Sequence, residues 1–310
     1  MLSRRNVRIK VMQSTYNWFQ DKEMSEAAVV RSYKRHVATS YELLIFNTHN
    51  IIQISRMSID DKNWRKEKHL PTEFDRKFRP MLYENPVIEA LEASETYRKF
   101  NKDIFNQYMD PSQIRKLYLE FGKTPEYLVY LDIAEPEIAD HVSILVDLWK
   151  FLYNNHLYIE LVYDAYPNWI DDDSLVKGFL KRLIRGISED EALLKQYKPD
   201  HETVTEFGQT LLEDVMAHFQ DYDDQLKPYL QNWEIDRIAT VDRILIKMAL
   251  SEFMKFPSIP TKVTLNEYVD IAKMYSTEKS KDFLNGILDA LLKDLQASDS
   301  VKKSGRGLIQ

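Results

Sequence analysis

An all-α fold is what this 310-residue sequence predicts, on three observations. Apolar residues recur at helical spacing almost from end to end, no segment alternates strictly with a period of two, and only 7 glycines occur. So few glycines leave little for the glycine-rich loops of an α/β enzyme. The 44% hydrophobic content suits a folded globular protein, and the length allows two domain-sized cores. With no cysteine, disulfides and thiolate metal sites are excluded.

The elements follow in order. A first helix covers residues 3–20 and a long one 25–58; residues 59–85 read as a charged, proline-punctuated connector. Helices over 86–109, 111–121, 125–132, 136–155 and 157–166 come next. Pro111, Pro125 and Pro136 take first-turn positions behind Asp110, Thr124 and Glu135, where a missing N–H costs nothing. Asp171–Asp173 opens a helix to 186, and acids there suit the positive end of the helix dipole better than a cation site. The last block reads as helices over 189–197, 201–222, 224–231, 235–255, 264–275 and 277–296. Ser188 with Glu191, and Thr264 with Glu267, have capping-box spacing. Pro257 and Pro260 separate two of these helices.

Three apolar stripes in this block want a shared core: Ile238, Val241, Leu245 and Met248; Leu265, Val269 and Ala272; Leu284, Ile287, Leu288, Leu291 and Leu295. Gly286, mid-helix, costs roughly 1 kcal/mol against alanine, so a neighbouring helix is expected to approach it closely, with a ligand-facing role as the alternative. Residues 298–310, with Lys302, Lys303 and Arg306, read as a disordered tail.

A formal net charge of −7 is the wrong sign for a generic nucleic-acid binder. Any RNA contact must come from a local patch, and Arg4, Arg5, Arg8 and Lys10 form the clearest one. Arg5, Met12 and Tyr16, spaced by seven and four, fall on one helix face, with Val7, Val11 and Trp18 as the apolar stripe. A guanidinium fork holds phosphate and a tyrosine ring stacks on an unpaired base, which suits single-stranded RNA.

Other chemistries find no support. The 7 histidines lack metal-ligand spacing, and no phosphate loop, nucleophile elbow or dinucleotide fingerprint occurs, so neither an enzyme nor a cofactor is expected. The aromatics from Trp149 to Tyr166 read as core, with a base-stacking platform as the alternative. No apolar run follows the basic N-terminus as in a signal peptide, and charges interrupt both apolar segments, 41–55 and 142–166. A cytoplasmic protein without membrane association is expected.

Four motifs in order carry a resemblance. The segment Ser3–Trp18, with Gln13, Tyr16 and Trp18 in register, resembles the arginine-rich opening of the NusB transcription antitermination family. Lys247-Met-Ala-Leu-Ser-Glu-Phe253, then Pro260-Thr-Lys-Val-Thr-Leu-Asn-Glu267, then Phe283-Leu-Asn-Gly286, are similar to its C-terminal half. The resemblance implies a NusB-like helical bundle of residues 1–20 plus 170–297, enlarged by an inserted helical region, 21–169, of unknown role. It implies an RNA-binding antitermination factor that pairs with the ribosomal protein NusE on boxA-type RNA and joins the elongating RNA polymerase. The implied RNA surface is Arg4, Arg5, Arg8, Tyr16, Lys281, Phe283 and Asn285, and NusE is expected near the helix carrying Glu252. Asn6 interrupts the arginine run, and Lys279 replaces a familiar acid, adding phosphate affinity or a plain surface charge. An accessory role in ribosomal-RNA methylation, or a helical scaffold without RNA, are the alternatives.

Overall fold

The computed structural model describes residues 2–21, 23–100, 103–167, 169–230 and 235–304. Among these residues every regular element is helical. In chain order they are α1 (Arg4–Gln20), α2 (Glu26–Lys66), α3 (Glu73–Lys77), α4 (Pro86–Ala93), α5 (Glu95–Lys99), α6 (Asp103–Asn106), α7 (Pro111–Phe121), α8 (Pro125–Asp132) and α9 (Ile138–Asn154). Next come α10 (His156–Ala165), α11 (Trp169–Gly186), α12 (Leu193–Gln196), a π-helical segment (Glu202–Gln209), α13 (Thr210–Ala217) and α14 (Phe219–Leu226). After 3-10 turns at Lys227–Tyr229 and Ile235–Arg237, the chain ends in α15 (Thr240–Lys255), α16 (Thr261–Tyr275) and α17 (Ser280–Ala297).

The chain divides into two compact units, a discontinuous one of Met1–Ala38 with Pro199–Gln310 and a continuous one of Thr39–Lys198. The divisions fall inside α2 and after α12, where the sequence alone suggested breaks near 20 and 170.

In the continuous unit α2, α4, α7, α9, α10 and α11 share one apolar core, with Phe46, Leu91, Leu117, Trp149, Leu161 and Leu183 all buried. The aromatics from Trp149 to Tyr166 divide: Trp149, Tyr158 and Tyr166 belong to this core, Phe151 and Tyr153 pack against it, and Tyr163 is exposed. Polar residues also enter it. Tyr158 Oη donates to Asn47 Oδ1 at 2.6 Å, and His49 Nδ1 lies 2.8 Å from Tyr97 Oη, so these buried groups are satisfied. Helix α2 runs on to Lys66, into the expected connector, because no proline or glycine stops it before Pro71 and Asp61 supports Arg65 one turn on at 3.0 Å. The single helix expected over 86–109 is broken at Ser94, whose ψ of 124° leaves the helical region.

In the discontinuous unit α1 packs against α13 and α15, and α15 against α16 and α17. From Ile244 to Phe253 every residue of α15 is buried, so this helix is the axis of the unit. Of the expected stripe, Leu245 and Met248 lie on that buried surface, Val241 is half-buried, and Ile238 falls before the helix. Gly208 lies at the tightest contact: a Cβ there would sit 2.0 Å from Tyr33 Oη and 2.4 Å from Val7 Cγ1. The π-helical segment ends just beyond it, and Tyr33 Oη donates to Val204 O within that segment at 2.9 Å.

Two caps form as expected. Asp110 accepts from the amides of Ser112 and Gln113 ahead of Pro111, and Thr124 from Tyr127 ahead of Pro125. Others differ. Pro136 stands before the cap of α9, which is Glu137. Pro260 caps α16, placing Thr264 inside the helix, and Ser188 precedes a turn, since α12 begins only at Leu193.

The chain after α17 is held as far as Ser304. Asp299 takes φ 52°, Ser300 N donates to Leu295 O at 2.9 Å and Asp299 N to Gln296 O at 3.2 Å, a Schellman ending with aspartate where glycine is usual. Lys303 Nζ then donates to Glu252 O (3.0 Å) and Phe256 O (2.9 Å), capping the C-terminus of α15. The expected disorder therefore does not extend over 298–304, and residues 305–310 lie outside the described residues.

Candidate nucleic-acid interface

Helix α15 carries three buried charged residues, and each is matched by a different element. Asp242 accepts from Ser280 Oγ at the start of α17 (2.6 Å), Lys247 lies 2.7 Å from Asp223 of α14, and Glu252 is bound by Arg8 of α1. The last pair is bidentate: Arg8 Nε to Glu252 Oε2 at 2.8 Å and Nη2 to Oε1 at 2.6 Å. Thr264 Oγ1 (2.8 Å) and Tyr268 Oη (3.0 Å) donate to the remaining Glu252 lone pairs. The hydroxyl expected to cap α16 is thus used here. Burial alone would pull the Arg8 guanidinium down, but the hydrogen bond and charge of Glu252 outweigh it and hold Arg8 firmly cationic.

Arg8 is 3% exposed and Glu252 0%. Neither side chain is solvent-exposed: the structure places Arg8, expected at phosphate, and Glu252, expected near NusE, in an interior pair with each other. Lys10, the fourth cation of the sequence patch, is likewise buried. Charge type is visible in a sequence; the acid that takes a cation inward, 244 residues away, is not.

Arg4 and Arg5 remain at the surface, each 40% exposed at the side chain. Arg4 Nη2 meets Glu202 Oε1 at 3.0 Å, and its guanidinium lies 5.7 Å from the Phe207 ring centroid. Arg5 Nη2 meets Asp270 Oδ2 at 2.8 Å, with Glu267 at 3.7 Å. Lys273 and Arg5 hold the Asp270 carboxyl below its ordinary range. Between these arginines and the loop before α16 lies a depression of 440 Å³ lined by Ser3, Arg4, Arg5, Pro260, Val263 and Glu267, with the buried Arg8 at its floor. Ser3 caps α1 and Pro260 caps α16, so two helix N-termini open beside the arginines, and neither first turn contains an acid.

The other expected residues lie towards the opposite end of α1. Tyr16 is 37% exposed, eleven residues and hence about 16 Å along the helix from Arg5, and on nearly the same face. Met12, expected on that face, is buried. The first turn of α15 meets both this end of α1, through Arg243 over the Phe19 ring (5.6 Å), and the start of α17, through Asp242 and Ser280. Tyr16 and the opening turns of α17 therefore share one end of the unit. Lys279, Lys281 and Asn285 are exposed and Phe283 half-buried. Gly286 is also exposed, and a Cβ added there would meet nothing within 4 Å. The close helix approach expected at Gly286 is absent, and its bare backbone faces outward.

The sequence model of the NusB family matches residues 160–293. The chain is 38% identical over 118 residues to the transcription antitermination protein NusB of Salinibacter ruber, covering 38% of this chain and 74% of that protein. It is 36% identical over 112 residues to that of Methylacidiphilum infernorum, covering 36% and 78%, and 39% identical over 99 residues to that of Chloroherpeton thalassium, covering 32% and 47%. Among solved structures it is similar to T. maritima NusB, with 30% identity, a TM-score of 0.29, and coverage of 37% of this chain and 82% of that one.

Proposed function

Because the chain belongs to the NusB family of transcription antitermination proteins, we propose that it binds boxA-type single-stranded RNA together with NusE and joins the elongating RNA polymerase, acting by assembly and without catalysis. The observation that carries this reading is the depression where Arg4, Arg5 and two helix N-termini converge. An RNA phosphate there exchanges places with the Glu202 and Asp270 carboxylates. Half-exposed ion pairs are worth only about 0–1 kcal/mol, so the exchange is cheap. Tyr16 and Phe283 offer rings to unstacked bases, Lys279, Lys281 and Asn285 reach phosphate or base edges, and Gly286 lets the strand approach the α17 backbone.

In this reading Arg8 and Glu252 position the surface and do not touch RNA. NusE approaches from the exposed Lys255, Pro257 and Ser258 beyond Glu252. The protein works in the cytoplasm, beside nascent RNA; among the described residues no helix is long and apolar enough to cross a membrane. The test is anisotropy of a labelled boxA-like strand and a scrambled control at fixed salt, with and without NusE, on the native chain and an Arg4→Ala/Arg5→Ala variant. Preferential binding that strengthens with NusE and weakens about tenfold or more in the variant is expected. Binding indifferent to the arginines and to NusE sinks the proposal.

A further inference from the structure

The continuous unit contains a feature that RNA binding does not use. Residues 124–149 carry six carboxylates (Glu126, Asp132, Glu135, Glu137, Asp140 and Asp147) and not one lysine or arginine. The same stretch leaves aliphatic side chains uncovered: Leu128 is 47% exposed, Val129 66% and Ile138 51%. Between α8 and α9 it encloses a groove of 370 Å³ whose apolar side is formed by Val129, Ile133 and Ile144 and whose rim bears Glu126, Asp140 and Asp147. Exposed apolar surface with a polar rim is the mark of an interaction site.

We propose that this α8–α9 groove docks a partner protein through a short basic segment, seating an aliphatic anchor on Val129 and Ile144 while flanking lysines or arginines meet Glu126 and Asp147. The charge pattern selects this occupant. Nucleic acid is repelled, because its phosphates would face carboxylates. A second copy placed symmetrically is disfavoured, because the same acidic rim would meet itself. A basic segment gains steering from the rim and affinity from the anchor. Two cations lie nearby: Lys150 is paired with Asp147 at 2.8 Å in a solvent-reached pair, so a cation of the partner takes Lys150's place there, and Arg79 is occupied by the Ile133 carbonyl at 2.7 Å, while Glu126 stays exposed at the rim.

The test uses the full chain and a labelled helical peptide of lysine, alanine and leucine with its leucines on one face. Two control peptides replace leucine by serine or lysine by glutamate. The groove variant is Val129→Ser/Glu126→Lys, at two exposed positions, with circular dichroism to confirm that the fold is kept. The expected result is binding of the leucine–lysine peptide, at least about tenfold weaker in the variant and for the serine peptide, and absent for the glutamate peptide. BoxA-like RNA binding by the variant stays at the native level, which separates this proposal from the one above. No binding of the leucine–lysine peptide, equal binding by native chain and variant, or a native dimer in sedimentation that the variant abolishes, each overturns it.

Discussion

Removing either half of the Arg8–Glu252 pair strands the other charge in a dry site. Arg8→Ala or Glu252→Gln should each cost about 3–5 kcal/mol in urea unfolding, and the double variant distinctly less than their sum. Additive losses would mean the two side chains act independently. Gly208 is the second residue on which the unit depends. Alanine there drives a Cβ into Tyr33 Oη and Val7, and overpacking of this kind costs about 1–3 kcal/mol. If the hydroxyl is the obstacle, Tyr33→Phe should restore part of the loss in the Gly208→Ala background while destabilising the native chain, whose Val204 carbonyl loses a donor. Both residues show where sequence reading stops. Arg8 is written like Arg4 and Arg5, and only the acid enclosed beside it sets it apart. Gly208 lies in a stretch that reads as ordinary helix.

At the scale of elements, what could be read was what local chemistry decides. Asp110-Pro111 and Thr124-Pro125 start α7 and α8 because cap and proline act on their own turn. Thr264 has the same local signature and a different fate, since a carboxylate twelve residues earlier recruits its hydroxyl. The end of α17 was hidden for a similar reason: nothing local announces a Schellman turn when aspartate occupies the left-handed position. Asp299→Gly should relieve that backbone and stabilise the chain by about 1 kcal/mol, read as a shift in urea midpoint. The Lys303 cap carries a pH signature. Burial lowers its amine to about 8, against about 10.4 in an unfolded chain, so its favourable contribution is present above pH 10.4 and is lost as pH falls through 8. The stability of the native chain relative to Lys303→Gln should therefore rise between those values, and a flat difference would show the amine solvated.

For the whole molecule the useful quantity is which charges solvent reaches. Of the implied RNA surface, Arg4, Arg5, Lys279 and Lys281 are the cations with exposed surface, and four phosphate contacts give a log affinity against log salt slope of roughly −3 at most. A steeper slope would bring in another basic surface, and the exposed Lys181, Arg182 and Arg185 of α11 are where to look. The family and the helical class were legible because short motifs keep their order along the chain. Where the two compact units divide was not, since a break inside α2 leaves no proline, glycine or change of composition to mark it.

The 244-residue separation of Arg8 from Glu252 also sets an order of events during synthesis. At about 5–20 residues per second, α1 leaves the ribosome roughly 12–50 s before its partner exists. Residues 39–198, whose apolar core is drawn wholly from themselves, are complete in the meantime and free to collapse first. Helix α1, made well before α15, is thus among the last of these elements to find its place, and throughout that wait its apolar stripe is a natural client for chaperones.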